Sequence, residues 1–281
     1  MSKDEVMQDT GKFRTNEKDQ YYTKPSVAER CIAKLNELCP GLDAYQWIEP
    51  SAGAGAFLHS VPPSFQRIGI DIDPKSPEIL QGDFLTWTPT SDRKRIVFGN
   101  PPFGRQASLA KAFIKHSAEF ADIIAFILPR SFVKPSMNRA FPLEFHCVHS
   151  EELEKNSFVV NDAEYDVPCV FQVWVKKDTN REIPDPVVEK GFRYVKYEEP
   201  FDIAFKRAGG RAGKCYAVPE KDPGHQYHYY LKLDEKYVMH VQTIIDTVNA
   251  HVFPSNTAGP RSLSKSEANE FLNTAIANAC P

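Results

Sequence analysis

The chain has 281 residues, of which 42% are hydrophobic and 25% charged, and a formal net charge of −3 at pH 7. This is the composition of a globular protein long enough to bury a substantial core, with one domain of ordinary size and a smaller one. It excludes a uniformly basic nucleic-acid coat while leaving room for a local basic patch.

Six cysteines (Cys31, Cys39, Cys147, Cys169, Cys215 and Cys280) form no CxxC pair and have no histidine at metal spacing. That pattern argues against a zinc site or a disulfide framework, and for reduced thiols in a cytoplasmic compartment. Met1 to Lys24 is polar and mixed in charge, unlike a signal peptide, and no apolar run approaches the length needed to span a membrane. No metal and no membrane partner is therefore expected.

Residues 1–19 read as a peripheral arm. Tyr21-Tyr22-Thr23-Lys24-Pro25 then forms a turn, and Ser26 is placed to cap a helix carrying Val27, Cys31, Leu35 and Leu38 on one face. That helix stops near Pro40-Gly41. Gln46 to Glu49 predicts a short strand, followed by the small residues Pro50-Ser51-Ala52-Gly53-Ala54-Gly55-Ala56. After a strand, such residues let backbone N–H groups approach a ligand, with a helix N-terminus behind them.

The next strand runs from Arg67 through Asp71 and Ile72 to Asp73-Pro74, placing Asp71 22 positions after Glu49. In a βαβ unit that spacing sets a carboxylate beside a ribose. Gly82-Asp83-Phe84-Leu85 adds a carboxylate that can accept from an adenine amino group and apolar side chains that can sandwich its ring.

Ile96-Val97-Phe98-Gly99 reads as a buried strand that ends abruptly at Asn100-Pro101-Pro102-Phe103. Two consecutive prolines donate no N–H and fix φ, so neither a ladder nor a helix continues through them. The result is a rigid turn at a strand's C-terminal edge, where open α/β sheets place their ligands. An Asn amide, free carbonyls and an aromatic face suit a planar molecule bearing an –NH2 group. Glycines, two carboxylates and this turn follow one another on successive strands, so a nucleoside-containing cofactor and an amine would meet at one sheet edge.

Helical spacing covers Ala107 to Ala121, and Asp122 to Pro129 is a continuous apolar run typical of a doubly covered strand. Phe145 to His149 and Val167 to Lys176 form a final strand pair, joined through a loop at Lys155 to Val160 that carries Phe158. Arg181 to Pro186 is the linker candidate. Beyond it, Lys206-Arg207-Ala208-Gly209-Gly210-Arg211-Ala212-Gly213-Lys214 has four positive charges and no acid, as a phosphate-contacting loop does. His225 to Lys232 interleaves aromatic and polar residues, and Ser264 and Glu267 are spaced as a capping box opening a last helix.

In this order the motifs resemble those of the amino-methyltransferases, and their arrangement is similar to the gamma class of restriction–modification N6-adenine DNA methyltransferases. The resemblance covers roughly residues 20–177. It implies an α/β fold, a Rossmann-like, mostly parallel seven-stranded sheet with helices on both faces over residues 20–178, and a small α+β target-recognition region over 179–281. It implies S-adenosylmethionine as cofactor, contacted by Tyr21, Tyr22, Thr23, Glu49, Pro50, Ala52, Gly53, Gly55, Asp71, Ile72, Asp83, Phe84 and Asn100. Asn100, Pro101, Pro102 and Phe103 would be catalytic: the Asn100 side chain and the Pro101 carbonyl accept from the adenine amino group, and no general base is needed. Phe103 and Phe158 would stack on a flipped base in DNA, with Lys206, Arg207, Arg211 and Lys214 on its phosphates. RNA is the alternative polymer. A release-factor-type glutamine methyltransferase, whose similar turn holds a side-chain amide, and a non-catalytic nucleic-acid binder of the same fold are the competing readings.

Overall fold

Alternation of side chains along a buried sheet organises the larger part of the chain. The computed structural model describes residues 21–217, 224–254 and 261–279, so the arm at 1–19 and Cys280 lie outside the described residues. The chain divides into two compact units between Glu182 and Ile183.

In the first unit, β1 (Tyr22–Thr23) leads into α1 (Pro25–Leu38). Ser26 is not the cap: Pro25 is the first helical residue, and the Lys24 carbonyl accepts from Val27 and Ala28 at 3.0 and 3.1 Å. Proline suits that position because its missing N–H would find no partner in the first turn. Then follow β2 (Gln46–Pro50), α2 (Ala56–Ser60), β3 (Gln66–Asp71), β4 (Leu80–Gln81), β5 (Arg95–Gly99), α3 (Ser108–Ala118) and β6 (Ile123–Pro129). β7 (Phe145–Glu152), β8 (Phe158–Val160), β9 (Ala163–Tyr165) and β10 (Cys169–Lys176) complete the unit.

Seven strands form one sheet in the order β4-β3-β2-β5-β6-β10-β7. β2 through β6 pair in parallel, and β10 runs antiparallel to both of its neighbours. This is the Rossmann-like, mostly parallel sheet that the sequence predicts. From β2 the chain winds outward to β3 and β4, then returns to the other side of β2 for β5 and β6. The switch point therefore lies between the C-terminal ends of β2 and β5, where ligand crevices form in open α/β sheets.

Both sheet faces are covered. Trp47, Ile96, Phe98, Ala125 and Val173 pack with α1 residues in one core, and their neighbours Ile48, Val97, Ile124, Phe126 and Trp174 pack with α3 residues in the other. The period of two in side-chain direction explains why these strands read as unbroken apolar runs. At the sheet's far edge Trp174 stacks on Phe141, with centroids 3.9 Å apart. Arg181 lies over the Trp174 ring at 5.5 Å and donates to the carbonyls of Asn138, Phe141 and Pro142. Arg181, the first residue of the linker candidate, is thus fastened to the first unit.

The second unit is α+β. β11 (Phe192–Val195), β12 (Ile203–Lys206), β13 (Cys215–Ala217) and β14 (His228–Leu233) make an antiparallel sheet in the order β11-β14-β12-β13. After the short α4 (Glu235–Val238), α5 (Val241–Ala250) and α6 (Lys265–Ala279) share its core through Ile244, Val248, Leu272 and Ile276. The capping box closes as its spacing predicts: Ser264 N donates to Glu267 Oε2 at 2.9 Å and Glu267 N to Ser264 Oγ at 3.3 Å.

Replacing Arg181 by alanine strips three carbonyls of a donor and uncovers Trp174. The expected cost is about 1–3 kcal/mol in urea-melt stability, the worth of hydrogen bonds from a charged donor, since the Asn138 and Pro142 carbonyls keep Phe141 N and Phe145 N as partners. An unchanged midpoint would place Arg181 in solvent.

Candidate active site

A cavity of about 390 Å³ opens at the switch point and reaches from Gly53 and Asp71 to Asn100. Its floor is the Asn100-Pro101-Pro102-Phe103 turn after β5, one wall is the loop between β2 and α2, and the roof is Tyr21 to Pro25. Of the residues assigned to cofactor and catalysis, Tyr21, Tyr22, Thr23, Glu49, Ala52, Gly53, Asp71, Ile72, Asn100, Pro101, Pro102 and Phe103 all line it.

Asn100 is held from one side only. Its Nδ2 donates to the Tyr21 carbonyl at 3.0 Å, while its buried Oδ1 has no hydrogen-bond partner. Thr23 Oγ1 is a second buried oxygen without a partner, on another residue of the same lining. Buried polar atoms are nearly always paired, so two orphans on residues that line one cavity are candidate partners for a ligand's donors. The bond to Tyr21 sets the amide's orientation and leaves its acceptor unpaired.

The roof stays in place through an element that the sequence presents as a loop. β8 and β9 form a hairpin whose turn residues Asn161 and Asp162 both have positive φ, at 49° and 62°. A two-residue turn with that geometry matches the twist of the strands it joins. β8 pairs with β1, aligning Tyr22 with Val159 and Thr23 with Phe158. Lys24 N donates to the Ser157 carbonyl at 3.1 Å, and Lys24 Nζ to Glu164 at 2.5 Å. Tyr21 lies between two rings, stacked with Phe103 at 6.3 Å and with Tyr165 at 5.7 Å.

The small-residue loop works differently from its expected role. The Ala52, Gly53 and Gly55 amides all donate within the protein: to the Ile70 carbonyl, to Asp71 Oδ2 at 2.7 Å, and to the Ala52 carbonyl. What the missing side chain at Gly53 provides is room, since a Cβ there would sit 3.1 Å from the Tyr22 ring. Ser51, with φ at 54°, is a strained non-glycine residue on the cavity wall. Asp71 uses Oδ2 on Gly53 N and Oδ1 on Asp73 N at 2.8 Å, so it organises the loop and keeps one lone pair per oxygen for a ligand.

Several assigned residues fall elsewhere. Pro50 and Gly55 are outside the lining, with Gly55 in a left-handed conformation that begins α2 against His59. Asp83 is also outside; its carboxylate accepts from Leu85 N at 2.9 Å and starts a single helical turn. The Phe84 ring is buried with Trp87, Phe113 and Phe120 beneath α3, so it cannot sandwich a ligand ring in the cavity. Phe158 is fully buried, edge-on to Tyr21, and the strand's alternation brings Val159 to the cavity instead.

The four cations of the glycine loop belong to the second unit, on the hairpin between β12 and β13. Arg211 is exposed, Lys206 lies over Tyr227 and Arg207 over Tyr229. Lys214 is turned inward, its Nζ donating to the Asn249 carbonyl at the C-terminal end of α5. There a cation meets the negative end of the helix dipole, which makes Lys214 structural.

Residues missed by sequence reasoning include Lys24, Ser51, His59 and Val159, all in the lining. Val159 was accessible from its neighbour: once Phe158 is given to the core, the next residue of a strand faces the other way. Among the described residues no cluster of His, Cys, Asp or Glu could hold a metal, and no helix is long and apolar enough to cross a membrane.

Glu49, at the end of β2, is 3% exposed and accepts from Leu58 N at 2.7 Å. Burial pushes its carboxyl up to about 8, against the lowering effect of the Leu58 and Phe57 amides, and nearby Asp71 pushes the same way. Below the ordinary value near 4.5 both the folded and the unfolded chain carry this proton. Between there and about 8 only the folded chain keeps it, so stability falls as pH rises through that window. Glu49→Gln should flatten the fall in urea-melt stability measured from pH 5 to 8, and an unchanged slope would show Glu49 ionised in the folded state.

No protein-family model matches the chain, and no curated protein matches it. Solved structures of similar fold include a candidate RNA methyltransferase from Pyrococcus horikoshii, 17% identical, covering 58% of this chain and 90% of that one with a TM-score of 0.44. A candidate class I S-adenosylmethionine-dependent methyltransferase from Listeria monocytogenes is 13% identical, covering 61% of this chain and 65% of that one with a TM-score of 0.45. The M protein of the type I restriction enzyme EcoKI is 16% identical, covering 60% of this chain and 46% of its own length with a TM-score of 0.44. Likeness at this level carries no argument about substrate, which has to come from the chain's own side chains.

Proposed function

We propose that the chain is a methyltransferase that moves a methyl group from S-adenosylmethionine to the exocyclic N6 amino group of a flipped adenine in DNA. The observation that carries this reading is the buried, partnerless Asn100 Oδ1, fixed by the amide's own bond to the Tyr21 carbonyl. Together with the Pro101 carbonyl, an acceptor held this way suits the two hydrogens of an –NH2 group. A hydroxyl or thiol nucleophile has one hydrogen and would leave one of the two acceptors unmatched.

The residues present suit the cofactor. A cavity of about 390 Å³ lies within the roughly 300–1,000 Å³ range of small-molecule sites. Asp71 has lone pairs for ribose hydroxyls, Thr23 Oγ1 is unpartnered, and Gly53 lets the Tyr22 ring close on the site. When bound, S-adenosylmethionine supplies an electrophilic methyl on a sulfonium. A cation beside Glu49 favours the ionised carboxylate, so binding would draw off the proton that burial retains.

Asn100 Oδ1 and the Pro101 carbonyl would accept the two amino hydrogens, drawing the nitrogen lone pair out of conjugation and aiming it at the methyl. Two consecutive prolines keep those acceptors from moving. Phe103, stacked with Tyr21, offers the aromatic surface for the base. Such positioning of a donor against a held nucleophile can account for a large share of rate, through effective molarities of about 10⁵–10⁸ M. Extrusion of the base costs a few kcal/mol, which stacking at about 1–3 kcal/mol per base and the amine hydrogen bonds offset. Of the four glycine-loop cations on the second unit, Lys206, Arg207 and Arg211 would meet phosphates, while Lys214 is engaged by the Asn249 carbonyl.

Asn100→Ala should reduce methyl transfer by at least about a hundredfold, the scale of losing one preorganised hydrogen-bonding group in a closed site. Cofactor affinity by calorimetry should stay within a few-fold of the parent. Loss of both together would make Asn100 a structural residue and remove the basis of the proposal.

A further inference from the structure

We propose that an aromatic pocket on the second unit holds one unpaired base of a single-stranded nucleic acid. The pocket has a volume of about 260 Å³ and sits where the end of β11, the turn before β14 and the first residue of α6 converge. That is below the roughly 300–1,000 Å³ of sites that enclose drug-sized ligands, and suits a single planar ring.

Its walls are rings held at their polar ends. Tyr194 Oη donates to Asn269 Oδ1 at 2.6 Å, Tyr229 Oη to the Leu263 carbonyl at 3.1 Å, and Tyr230 Oη to the His225 carbonyl at 3.3 Å. Aromatic faces fixed before a ligand arrives lower the ordering cost of binding. Tyr197 is the accessible member: it is 38% exposed and stacks on His225 with centroids 5.4 Å apart and planes 21° from parallel. Two cations accompany the rings, one of them over a ring face. Lys265 Nζ stands 4.2 Å from the Tyr194 centroid with no carboxylate within ion-pair distance among the described residues, and Lys196 lines the same wall. One acid, Glu198, shares the lining.

The exposed Tyr197 ring beside rings that carry cations over them matches a base and its adjoining phosphate, and every base offers a π-face, so the recognition is tolerant of sequence. A paired base is stacked on both sides and cannot enter. The surface continues beyond the pocket in Tyr227, 47% exposed beneath Lys206, and in Arg207 over Tyr229, which gives a strand a direction to follow. This inference rests on the proposed function only in taking nucleic acid as the polymer, and it requires no methyl transfer.

The test is fluorescence anisotropy with the full chain and no cofactor, using labelled dT12, rU12, a duplex of equal length and thymidine monophosphate. Both single strands should bind more tightly than the duplex and the mononucleotide. Tyr197→Ala should weaken single-strand binding by about five- to a hundredfold, the range spanned by one lost base stack, while Tyr197→Trp retains it. Lys265→Gln should lower the slope of log K against log salt by about 0.7, one phosphate contact on a single strand. Duplex binding as tight as single-strand binding, a mononucleotide bound as well as the oligomer, or a Tyr197→Ala chain indistinguishable from the parent would each overturn it. Because no cofactor is present, failure here leaves the methyl-transfer proposal standing, and failure of methyl transfer leaves this one.

Discussion

One hydrogen bond joins two ends of the site that lie far apart in the chain: the Asn100 amide nitrogen donates to the carbonyl of Tyr21. It decides which end of the amide faces the cavity. Were Tyr21 absent, Asn100 could present either its N–H groups or its oxygen, and an acceptor site would become ambiguous. The rest of the first unit can be read as the support for this contact. β5 delivers Asn100 to the sheet edge, the prolines stop it from moving, and the β8–β9 hairpin pins the Tyr21 to Lys24 segment above it.

The carboxylates of the site illustrate how burial separates their roles. Glu49 is closely enclosed: a Cβ on Gly99 would sit 3.2 Å from its Cγ, closer than side chains ordinarily approach. Cut off from water, it keeps its proton. Asp71 is half-buried and makes two backbone hydrogen bonds that brace the loop between β2 and α2. One acid is therefore held neutral by burial, and the other is a clamp with spare acceptor capacity.

The fold was legible in the sequence because its strands are buried on both faces and its breaks are chemically sharp. Apolar runs at Ile96 to Phe98 and Ile123 to Leu128, each ended by proline or glycine–asparagine, leave little choice about where the strands stop. The seven-stranded, mostly parallel sheet followed from that pattern together with the resemblance. What escaped was set by pairing across long separations. Lys155 to Val160 has too few residues to announce a strand, and it becomes one only by meeting Tyr22 and Thr23. Phe158 and Phe84 look like stacking aromatics in a linear reading, yet local register sends both rings into packed interior. Lys214 likewise counts as a free cation until the end of α5 is seen beside it. On the second unit, the rings of the aromatic pocket come from two separate segments and Lys265 from a third, so only the fold brings them together.

The central claim is that a fixed oxygen at the sheet edge receives the hydrogens of a base amine. The most direct measurement is to incubate the chain with tritiated S-adenosylmethionine and DNA, RNA or a glutamine-bearing peptide, then digest the labelled product and identify the modified unit by mass. The account predicts label in DNA and recovery of N6-methyldeoxyadenosine. Label confined to the peptide, or a methyl group on a ring carbon or a hydroxyl oxygen, would contradict it.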